Sequence, residues 1–539
     1  MRRFPKICLI FKAKSWTPTP IMKIFKLTLI FAAVLSTNAF AQQESVDTAA
    51  FRQIRNAEMS NSHIPWIAHN ITDVSGPRLT NSPGFFRAAN WAIETMKKWG
   101  MANAALEAWG DYGKGYETTE FSISMSAPYK QMMTGYAIPY SASTNGEIHG
   151  QVYQTGFFSL FDPTFVEKHK AELSGKIVMV SNSQSKRKSD FNAYATRFAD
   201  TALANMKDLY MVSRKEIEMD TKYLTILSEA MDKLKAAGAL AVVFIDNSNR
   251  DGTVAVQAFG GQKATDHENL PQAEICAEDG LKISRLIASG HQVELTMNLK
   301  GKFYTDDLKG HNVIAEIPGT DPKLKAQVVM LGGHLDSWNA GTGATDNGAG
   351  CIVMMEAVRL LDSLHLRPKR TIRIALWDGE EQGLFGSYNY VKNHFGNAET
   401  GIFKPEQAKV SAYFNLDNGT GKIRGIFAQG NTAVKPIFEQ WFKPFADLDA
   451  KTVTLANTGS TDHQSFDWVG IPGFQFIQDP LDYEEKTHHT NMDTYDFLQI
   501  DDLKQAAIIV ASFVYQAANR PDLLPRKPVV KEKFVFDGL

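Results

Sequence analysis

Near-continuous apolar runs of strand length recur in the second half of the chain. They are Ala326–Leu331, Thr371–Trp377, Val410–Leu416 and Gly473–Ile477. Runs that are apolar on both faces are typical of a parallel or mixed sheet covered on both sides. A helical stripe over Gly348–Leu364 separates the first two runs, which predicts a βαβ unit with a right-handed crossover. The pattern therefore predicts an α/β fold with a mixed, mostly parallel sheet sandwiched by helices.

Residues 126–307 show a different pattern, in which short β-like runs surround a long polar stretch that is typical of helix. The runs are Gly150–Tyr153, Lys176–Ser181, Ala239–Ile245 and Gln292–Leu299. Strand-like runs bounded by turn residues indicate a sheet of their own. We therefore predict a separate β-rich module inserted into the chain.

The segments on either side of this module form the predicted α/β domain. Residues 44–125 are expected to begin as helix, with apolar positions at helical spacing over Phe85–Trp99. Residues 308–525 carry the strands and end in an amphipathic helix. The two segments are thus one discontinuous domain, followed by a tail over residues 526–539.

Residues 1–41 have the features of a leader that ends in an export signal. From Met22 the chain runs through a basic start, an apolar stretch over Leu27–Leu35 and a small-x-small signal at Ala39–Ala41. This order is typical of a secretory signal peptide, so cleavage is expected near Gln42. We expect an exported protein, periplasmic or secreted, with Met22 as the initiator.

Composition narrows the classes of function. The formal net charge is -2 at pH 7, so the chain has no basic field of the kind that binds nucleic acid. After the leader, no apolar run approaches the ~20 residues of a membrane span. Cys276 and Cys351 also follow the leader, and they are too few for a disulfide framework. We expect both to be buried thiols.

Metal-binding residue types follow the predicted strands or precede the crossover helix. In chain order they are His334, Asp346, Glu380, Glu381, Asp417, His488 and His489. Ligand sites in open α/β sheets lie outside the carboxyl ends of strands, so these side chains are expected to converge. Imidazoles and carboxylates together suit Zn²⁺ or a similar divalent ion. Two such ions need a bridging carboxylate, and one further carboxylate must stay free to accept a proton.

These residues lie in motifs that resemble the two-zinc aminopeptidase and glutamate carboxypeptidase family, metallopeptidase family 28, and within it the carboxypeptidase Q branch. The motifs are DVSGPRLTNSPG, GGHLDSW, ATDNGAG, WDGEEQGLFGS, NLDNGTG and HTNMDT. The resemblance implies a zinc-exopeptidase fold, two Zn²⁺ per chain and hydrolysis of terminal peptide bonds of peptides or dipeptides.

The resemblance also implies a role for each residue. The metal ligands would be His334 and Asp417 on one zinc, Glu381 and His489 on the other, and Asp346 on both. Glu380 would be the general base toward a water that bridges the metals. His488 is the alternative to His489, which matches the family's last motif better. The peptide bond between Asp346 and Asn347 is expected to be cis, as in the family.

Four further residues are expected around this site: Asp336, Asp462, His463 and Asp493. The spacing lets Asp336 orient His334, unless it is simply an exposed loop residue. Asp493 could orient His489 in the same way if that turn is helical. By resemblance, Asp462 holds a loop in which Thr replaces the family's usual Ser. His463 either contacts substrate or caps the helix that follows it.

The inserted module resembles a protease-associated domain in its segments SGKIVMVS, AAGALAVVFID and LPQAEICAEDG. Such a domain would narrow access to the site. The expected activity is of the aminopeptidase or dipeptidase type, and carboxypeptidase specificity stays open. A metal-free, receptor-like binding module and a one-zinc acyltransferase resembling glutaminyl cyclase are the alternatives. A homodimer is a family-level expectation.

Overall fold

The computed structural model describes residues 44–181, 194–246, 249–258 and 260–528. The predicted signal peptide and most of the predicted tail lie outside the described residues. Within the described residues there are two eight-stranded sheets and one two-stranded ribbon.

In chain order, the strands are β1 (Ala102–Asp111), β2 (Gly115–Ala127), β3 (Gln131–Met132), β4 (Gly135–Ala137), β5 (Ile148–Gly156), β6 (Lys176–Ser181), β7 (Ala241–Asp246), β8 (Gln272–Cys276), β9 (Glu294–Tyr304), β10 (Lys309–Ile317), β11 (Val328–His334), β12 (Thr371–Trp377), β13 (Gly396–Asn397), β14 (Ile402–Phe403), β15 (Val410–Asn415), β16 (Ile423–Phe427), β17 (Thr452–Thr454) and β18 (Gly473–Gln478). The α-helices are α1 (Thr48–Ser60), α2 (Ile64–His69), α3 (Pro83–Lys98), α4 (Phe165–Leu173), α5 (Asp200–Ala204), α6 (Arg214–Ala236), α7 (Ala277–Ala288), α8 (Ala349–Ser363), α9 (Phe385–His394), α10 (Lys435–Phe442), α11 (His463–Asp467) and α12 (Ile500–Asn519).

The first sheet has the strand order β1-β10-β12-β11-β15-β18-β16-β17. Its central strands β12, β11, β15 and β18 are parallel to one another. The antiparallel pairs lie toward its edges, where β10 pairs with β1 and β12, and β16 pairs with β18. This confirms the mixed, mostly parallel sheet predicted from the apolar runs.

Helices cover both faces of the first sheet. On one face lie α8 and α12, and every residue of α8 from Ala349 to Leu361 is buried. On the other face, Tyr390 of α9 and Phe466 of α11 pack against Trp377 and Tyr413 of the sheet. The rings of Tyr413 and Phe466 stack with centroids 4.3 Å apart. This burial on both faces explains why the strands are apolar throughout.

The sequence pattern did not predict β1, at the edge of the first sheet, or β10, which lies between β1 and β12. The residues of β1 include Ala, Leu and Glu, which favour helix in isolation. Antiparallel pairing with β10 gives this segment its extended form, which is a tertiary effect that local propensity does not contain.

The second sheet has the order β3-β2-β9-β5-β6-β7-β8-β4 and begins with Gly115, ahead of residue 126. Its strands β5, β6, β7 and β8 are parallel. The helices α4 and α6 pack on one face and α7 on the other. Cys276 and Cys351 are buried free thiols, as predicted. Among the described helices, none combines the length and apolarity needed to cross a bilayer.

Candidate metal centre

The predicted metal-binding residues lie at the carboxyl edge of the first sheet. His334 is the last residue of β11 and pairs in register with Trp377, the last residue of β12. Glu380 and Glu381 follow β12, and Asp417 follows β15. Because these strands are parallel, their carboxyl ends meet at the same edge.

Asp346 lies at the centre of the group. Its Oδ1 is 3.3 Å from Nε2 of His334, and its Oδ2 is 3.1 Å from Nε2 of His489. The same nitrogen of His334 is 3.5 Å from Oδ1 of Asp417. Nε2 of His489 is 3.1 Å from Oε2 of Glu381. Asp346 therefore lies between the two pairs of side chains that the resemblance assigned to the two metals, His334 with Asp417 and Glu381 with His489.

The donor set fits a divalent cation. His334, Asp346 and Asp417 form one group whose donor atoms all lie within 4.8 Å of one another. Oδ2 of Asp346 and Oε1 of Glu381 are buried and have no hydrogen-bond partner among the described residues. Buried carboxylate oxygens are costly unless hydrogen bonds or cations satisfy them. The orphaned oxygens and the facing imidazoles together suit zinc.

His488 and His489 both approach Asp346. A second donor group within 4.8 Å consists of Asp346, His488 and His489. Nε2 of His488 is 3.8 Å from Oδ2 of Asp346, whereas Nε2 of His489 is 3.1 Å from the same oxygen. The imidazole of His489 also contacts the carboxylate of Glu381. The shorter distance to Asp346 and the contact with Glu381 favour His489 as the ligand.

Glu380 lies beside this group with its Oε2 3.8 Å from Nε2 of His334. Burial raises the pKa of the Glu380 carboxyl well above its usual value; His334 opposes this rise, and Asp417 and Asp462 add to it. A carboxyl with a raised pKa can accept a proton and return it near neutral pH.

Asp336 is fully buried and connects the ligand loops. The Nδ1 of His334 lies 3.0 Å from the main-chain oxygen of Asp336 and 3.6 Å from its Oδ1. The carboxylate also accepts hydrogen bonds from the main-chain N–H groups of Glu380 (3.2 Å) and Glu381 (3.3 Å). Thr80 donates a further hydrogen bond of 3.0 Å. Asp336 thus positions one imidazole and two carboxylate-bearing residues.

Asp493 holds the turn that carries Asp346. Its two oxygens accept hydrogen bonds from the main-chain N–H groups of Thr345 (2.5 Å) and Asp346 (3.1 Å). The sequence suggested instead that Asp493 would orient His489. The peptide bond between Asp346 and Asn347 is cis, as the resemblance implied.

Asp462 and His463 lie behind the metal-binding groups and are fully buried. Burial raises the pKa of Asp462 to about 8, His334 lowers it, and Asp417 adds to the rise. His463 is the first residue of α11, and its Nε2 lies 3.0 Å from the carbonyl oxygen of Thr458 and also contacts Gln429. Burial lowers the pKa of His463 to about 4. Its buried contacts favour a supporting role over contact with substrate.

Arg78 supports the site although the sequence did not single it out. Its guanidinium is fully buried and donates to the main-chain oxygens of Leu335 (2.6 Å), Gly343 (2.8 Å) and Thr342. These carbonyls flank His334 and the turn of Asp346, so Arg78 ties the two loops together. The signal that could have found it was its place in the motif DVSGPRLTNSPG.

The segment before β8 in the second sheet contacts the backbone of His489 directly. The main-chain N–H of Val256 donates to the carbonyl oxygen of His489 at 3.0 Å. The main-chain N–H of Asn491 donates to the carbonyl oxygen of Val254 at 3.0 Å, and the side chain of Asn491 accepts from Val254 at 2.8 Å. A loop of the second sheet therefore supports the backbone that presents His489.

Tyr210, from the loop between α5 and α6, also reaches this edge of the first sheet. Its hydroxyl donates to Oε1 of Glu484 at 2.5 Å. Oε2 of Glu484 is 3.7 Å from Nδ1 of His488. No periodic pattern in the sequence signals this contact, because it joins residues that are far apart in the chain.

Several known proteins are similar to this chain in sequence. Residues 312–514 match the model of peptidase family M28. Carboxypeptidase Q of Mus musculus is 30% identical over 458 residues, which cover 85% of this chain and 86% of that protein. Carboxypeptidase Q of Bos taurus is 33% identical over 257 residues, covering 48% of this chain and 52% of that protein. The chain thus spans about half the length of the bovine relative.

Solved structures show the same fold. A peptidase M28 precursor from Shewanella amazonensis has a TM-score of 0.64 at 23% identity, covering 89% of this chain and 98% of that chain. A zinc aminopeptidase from Bacillus subtilis has a TM-score of 0.53 at 21% identity, covering 85% of this chain and 96% of that chain. Both likenesses extend over most of each chain.

Proposed function

Because the chain belongs to peptidase family M28, we propose that it is an exported zinc-dependent exopeptidase that hydrolyses terminal peptide bonds of peptides or dipeptides. The observation that carries the proposal is the position of Asp346. Its two carboxylate oxygens face His334 on one side and His489 on the other. A carboxylate that turns one oxygen toward each imidazole can bridge the two closely spaced ions of a two-metal hydrolase.

Five side chains are proposed to hold two zinc ions. They are His334 and Asp417 for one ion, Glu381 and His489 for the other, and Asp346 for both. Zinc bound there would polarise the scissile carbonyl and lower the pKa of an attacking water. Support comes from the distances among these groups and from the unsatisfied oxygens of Asp346 and Glu381.

Glu380 is proposed to carry the proton during the reaction. Its carboxylate accepts a proton from the attacking water and then returns it to the nitrogen of the leaving amine. Asp336 fixes the backbone of Glu380 through a hydrogen bond of 3.2 Å. This fixation holds the base in place while the adjacent Glu381 serves as a ligand.

The inserted module is proposed to be a protease-associated domain that narrows access to the site. It supplies the segment that bonds to His489 and the loop that carries Tyr210. Both contacts lie at the carboxyl edge of the first sheet. The position of these two contacts favours short substrates, because a long peptide substrate would have to pass the loops that make them.

The aminopeptidase or dipeptidase reaction is the preferred form of the proposal. Carboxypeptidase specificity is the second candidate, because the mouse and bovine relatives carry the name Carboxypeptidase Q. A metal-free receptor-like module is disfavoured, since every ligand position and the base are filled. The one-zinc acyltransferase is disfavoured because the donor atoms gather on both sides of Asp346.

The test is a panel of dipeptides with free and blocked amino termini, each assayed with and without a chelator. We expect cleavage of the free-amino dipeptides, loss of activity with the chelator and recovery when Zn²⁺ is added back. Cleavage of amino-blocked dipeptides alone would support the carboxypeptidase form. Full activity in the presence of the chelator would contradict zinc-dependent hydrolysis.

A further inference from the structure

The second sheet contains a cavity of about 770 Å³, separate from the groups around Asp346. It lies between α6 and the second halves of the parallel strands β6 and β7, where Val180 and Phe244 line it. Glu274 of β8 also lines it. Ligand sites in α/β sheets favour the carboxyl ends of parallel strands, and a volume of this order suits a small molecule.

The carboxylate of Glu274 is the chemically distinctive group in this cavity. Among the described residues it makes no hydrogen bond and no ion pair. Burial raises the pKa of Glu274 to about 8, and the carboxylate of Asp246 adds to the rise. Asp246 itself accepts hydrogen bonds from Asn249 and Ala255. Of these two carboxylates, Glu274 is therefore the one that a cation would stabilise.

The basic residues that line the cavity do not neutralise Glu274. Nε2 of His267 lies 2.7 Å from Oδ1 of Asp232, so this imidazole already has an acidic partner. Lys263 is exposed, and no ion pair joins it to Glu274 among the described residues. Among residues 44–181, 194–246, 249–258 and 260–528, no basic side chain pairs with Glu274, so a bound molecule with a cation would fit there.

The rest of the lining combines apolar and amide groups. Phe157, Leu227 and Met231 supply apolar surface, and Gln257 and Gln272 supply amide donors and acceptors. The cavity thus offers a carboxylate, amide groups and apolar surface. A ligand that matches these three features has a protonated amine, a hydrogen-bonding amide and an apolar side chain.

We propose that this cavity is a binding site for a small, amine-bearing ligand of amino-acid or peptide type, with its cation on Glu274. The site is distinct from the metal centre. It is nevertheless connected to it, because the lining residue Gln257 directly follows Val256, which donates its N–H to the carbonyl oxygen of His489. An occupant would thus contact the segment that supports a proposed metal ligand.

Isothermal titration calorimetry of the zinc-loaded full chain tests this proposal with two probes. The probes are 2-phenylethylamine, which carries a cation and a ring, and its N-acetyl derivative, which lacks the cation. We expect saturable binding of the amine and at least ten-fold weaker binding of the acetylated probe. Glu274→Gln should weaken amine binding at least ten-fold. The matched control Glu294→Gln changes an exposed carboxylate of β9 in the same sheet and should leave the affinity unchanged.

Two further variants decide where the amine binds. Leu227→Trp fills the cavity from α6 without changing a charge, so it should also abolish amine binding. This variant keeps the proposal testable if Glu274→Gln does not fold. Glu381→Gln alters the metal centre and should leave amine binding intact. The proposal is overturned if neither probe binds, if both bind equally, or if binding survives Glu274→Gln and Leu227→Trp but is lost in Glu381→Gln.

Discussion

Glu380 has the most specific role at the residue scale, since it is close to His334 yet is not needed as a ligand. Glu380→Gln keeps the side-chain shape but removes the proton acceptor. We expect the variant to retain zinc and to lose about 10²–10⁴-fold in kcat, which is the usual contribution of general acid–base catalysis. Zinc content by mass spectrometry and kcat on a free-amino dipeptide measure the two effects.

The control for this variant is Glu406→Gln, which changes an exposed carboxylate in the turn Pro405–Lys409. It should behave as the wild-type protein in both assays. An unchanged kcat in zinc-loaded Glu380→Gln would show that another group moves the proton.

Asp336 acts through other residues, because it contacts His334 and the main-chain N–H groups of Glu380 and Glu381. Removing such a support typically costs 10- to 100-fold in metal affinity or activity. We expect Asp336→Ala to weaken zinc binding by about this factor, measured by competition with a chromogenic chelator. Asp306→Ala, at an exposed loop position, is the matched control. Equal zinc affinity in both variants would show that Asp336 does not support the ligands.

The residue types around the site could be predicted from the sequence, but some partners could not. His334 and Asp417 stand out because they lie at strand ends, and Asp346 stands out because it precedes the crossover helix. The hydrogen bonds of Asp493 to the turn of Asp346 join residues 147 and 148 positions apart, and no local pattern contains those contacts. The same applies to Arg78, whose partners are main-chain carbonyls.

At the element scale, α1 and α8 share a buried charge cluster that should make stability depend on pH. Glu58 of α1 and Glu356 of α8 are both fully buried, and Nη2 of Arg359 is 2.6 Å from Glu356 but 3.9 Å from Glu58. Burial raises the pKa of Glu58 to about 8, Glu356 adds to the rise, and Arg359 opposes it. Glu58 is therefore the carboxyl of this pair that holds a proton.

The sign of the pH effect follows from that raised pKa. Glu58 ionises near its ordinary value of 4.5 in the unfolded chain but only near 8 in the folded chain. Its contribution to stability is therefore fully present below about pH 4.5 and is lost as the pH rises through about 8. Glu58→Gln stays neutral and should lose less Tm than the wild type between pH 6.5 and 9.

Calorimetric Tm values at these two pH values test this prediction. Glu94→Gln changes an exposed carboxylate of α3 and should lose as much Tm as the wild type. If Glu58→Gln has the same pH dependence as Glu94→Gln, Glu58 is ionised in the folded protein and the assignment of the proton is wrong.

Elements that are buried on both faces could be predicted from the sequence with accurate bounds. Lys176–Ser181 and Thr371–Trp377 are the same segments as β6 and β12, because burial makes nearly every position apolar. Edge strands lack that constraint. β1 alternates exposed and buried positions irregularly, and the short β17 is only partly buried. Their form depends on pairing with neighbouring strands rather than on their own pattern.

At the scale of the whole molecule, the proposed export can be tested separately from catalysis. The predicted signal peptide ends at Ala41, so the mature chain is expected to begin near Gln42. Mass spectrometry of the protein recovered from the periplasm or medium should give this terminus. Export would be contradicted if the protein were found only inside the cell and its chains still began at Met22.

The general architecture of the molecule could be predicted from its alternating strands and helices. The contacts between the inserted module and the first sheet could not be predicted in this way. Segments that connect strands of the second sheet contribute Val256 and Tyr210 to the edge where the predicted ligands converge. These contacts depend on how the inserted module packs against the first sheet, and a pattern along one segment does not contain that information. The predicted homodimer remains a prediction at this scale.

Side chains centred on Asp346 are proposed to bind two zinc ions. Anomalous diffraction at the zinc edge, from crystals of the zinc-loaded protein, tests this binding most directly. We predict two peaks, one bound by His334 and Asp417, the other by Glu381 and His489, with Asp346 on both. A single peak, or a second peak bound by His488 in place of His489 and Glu381, would contradict it.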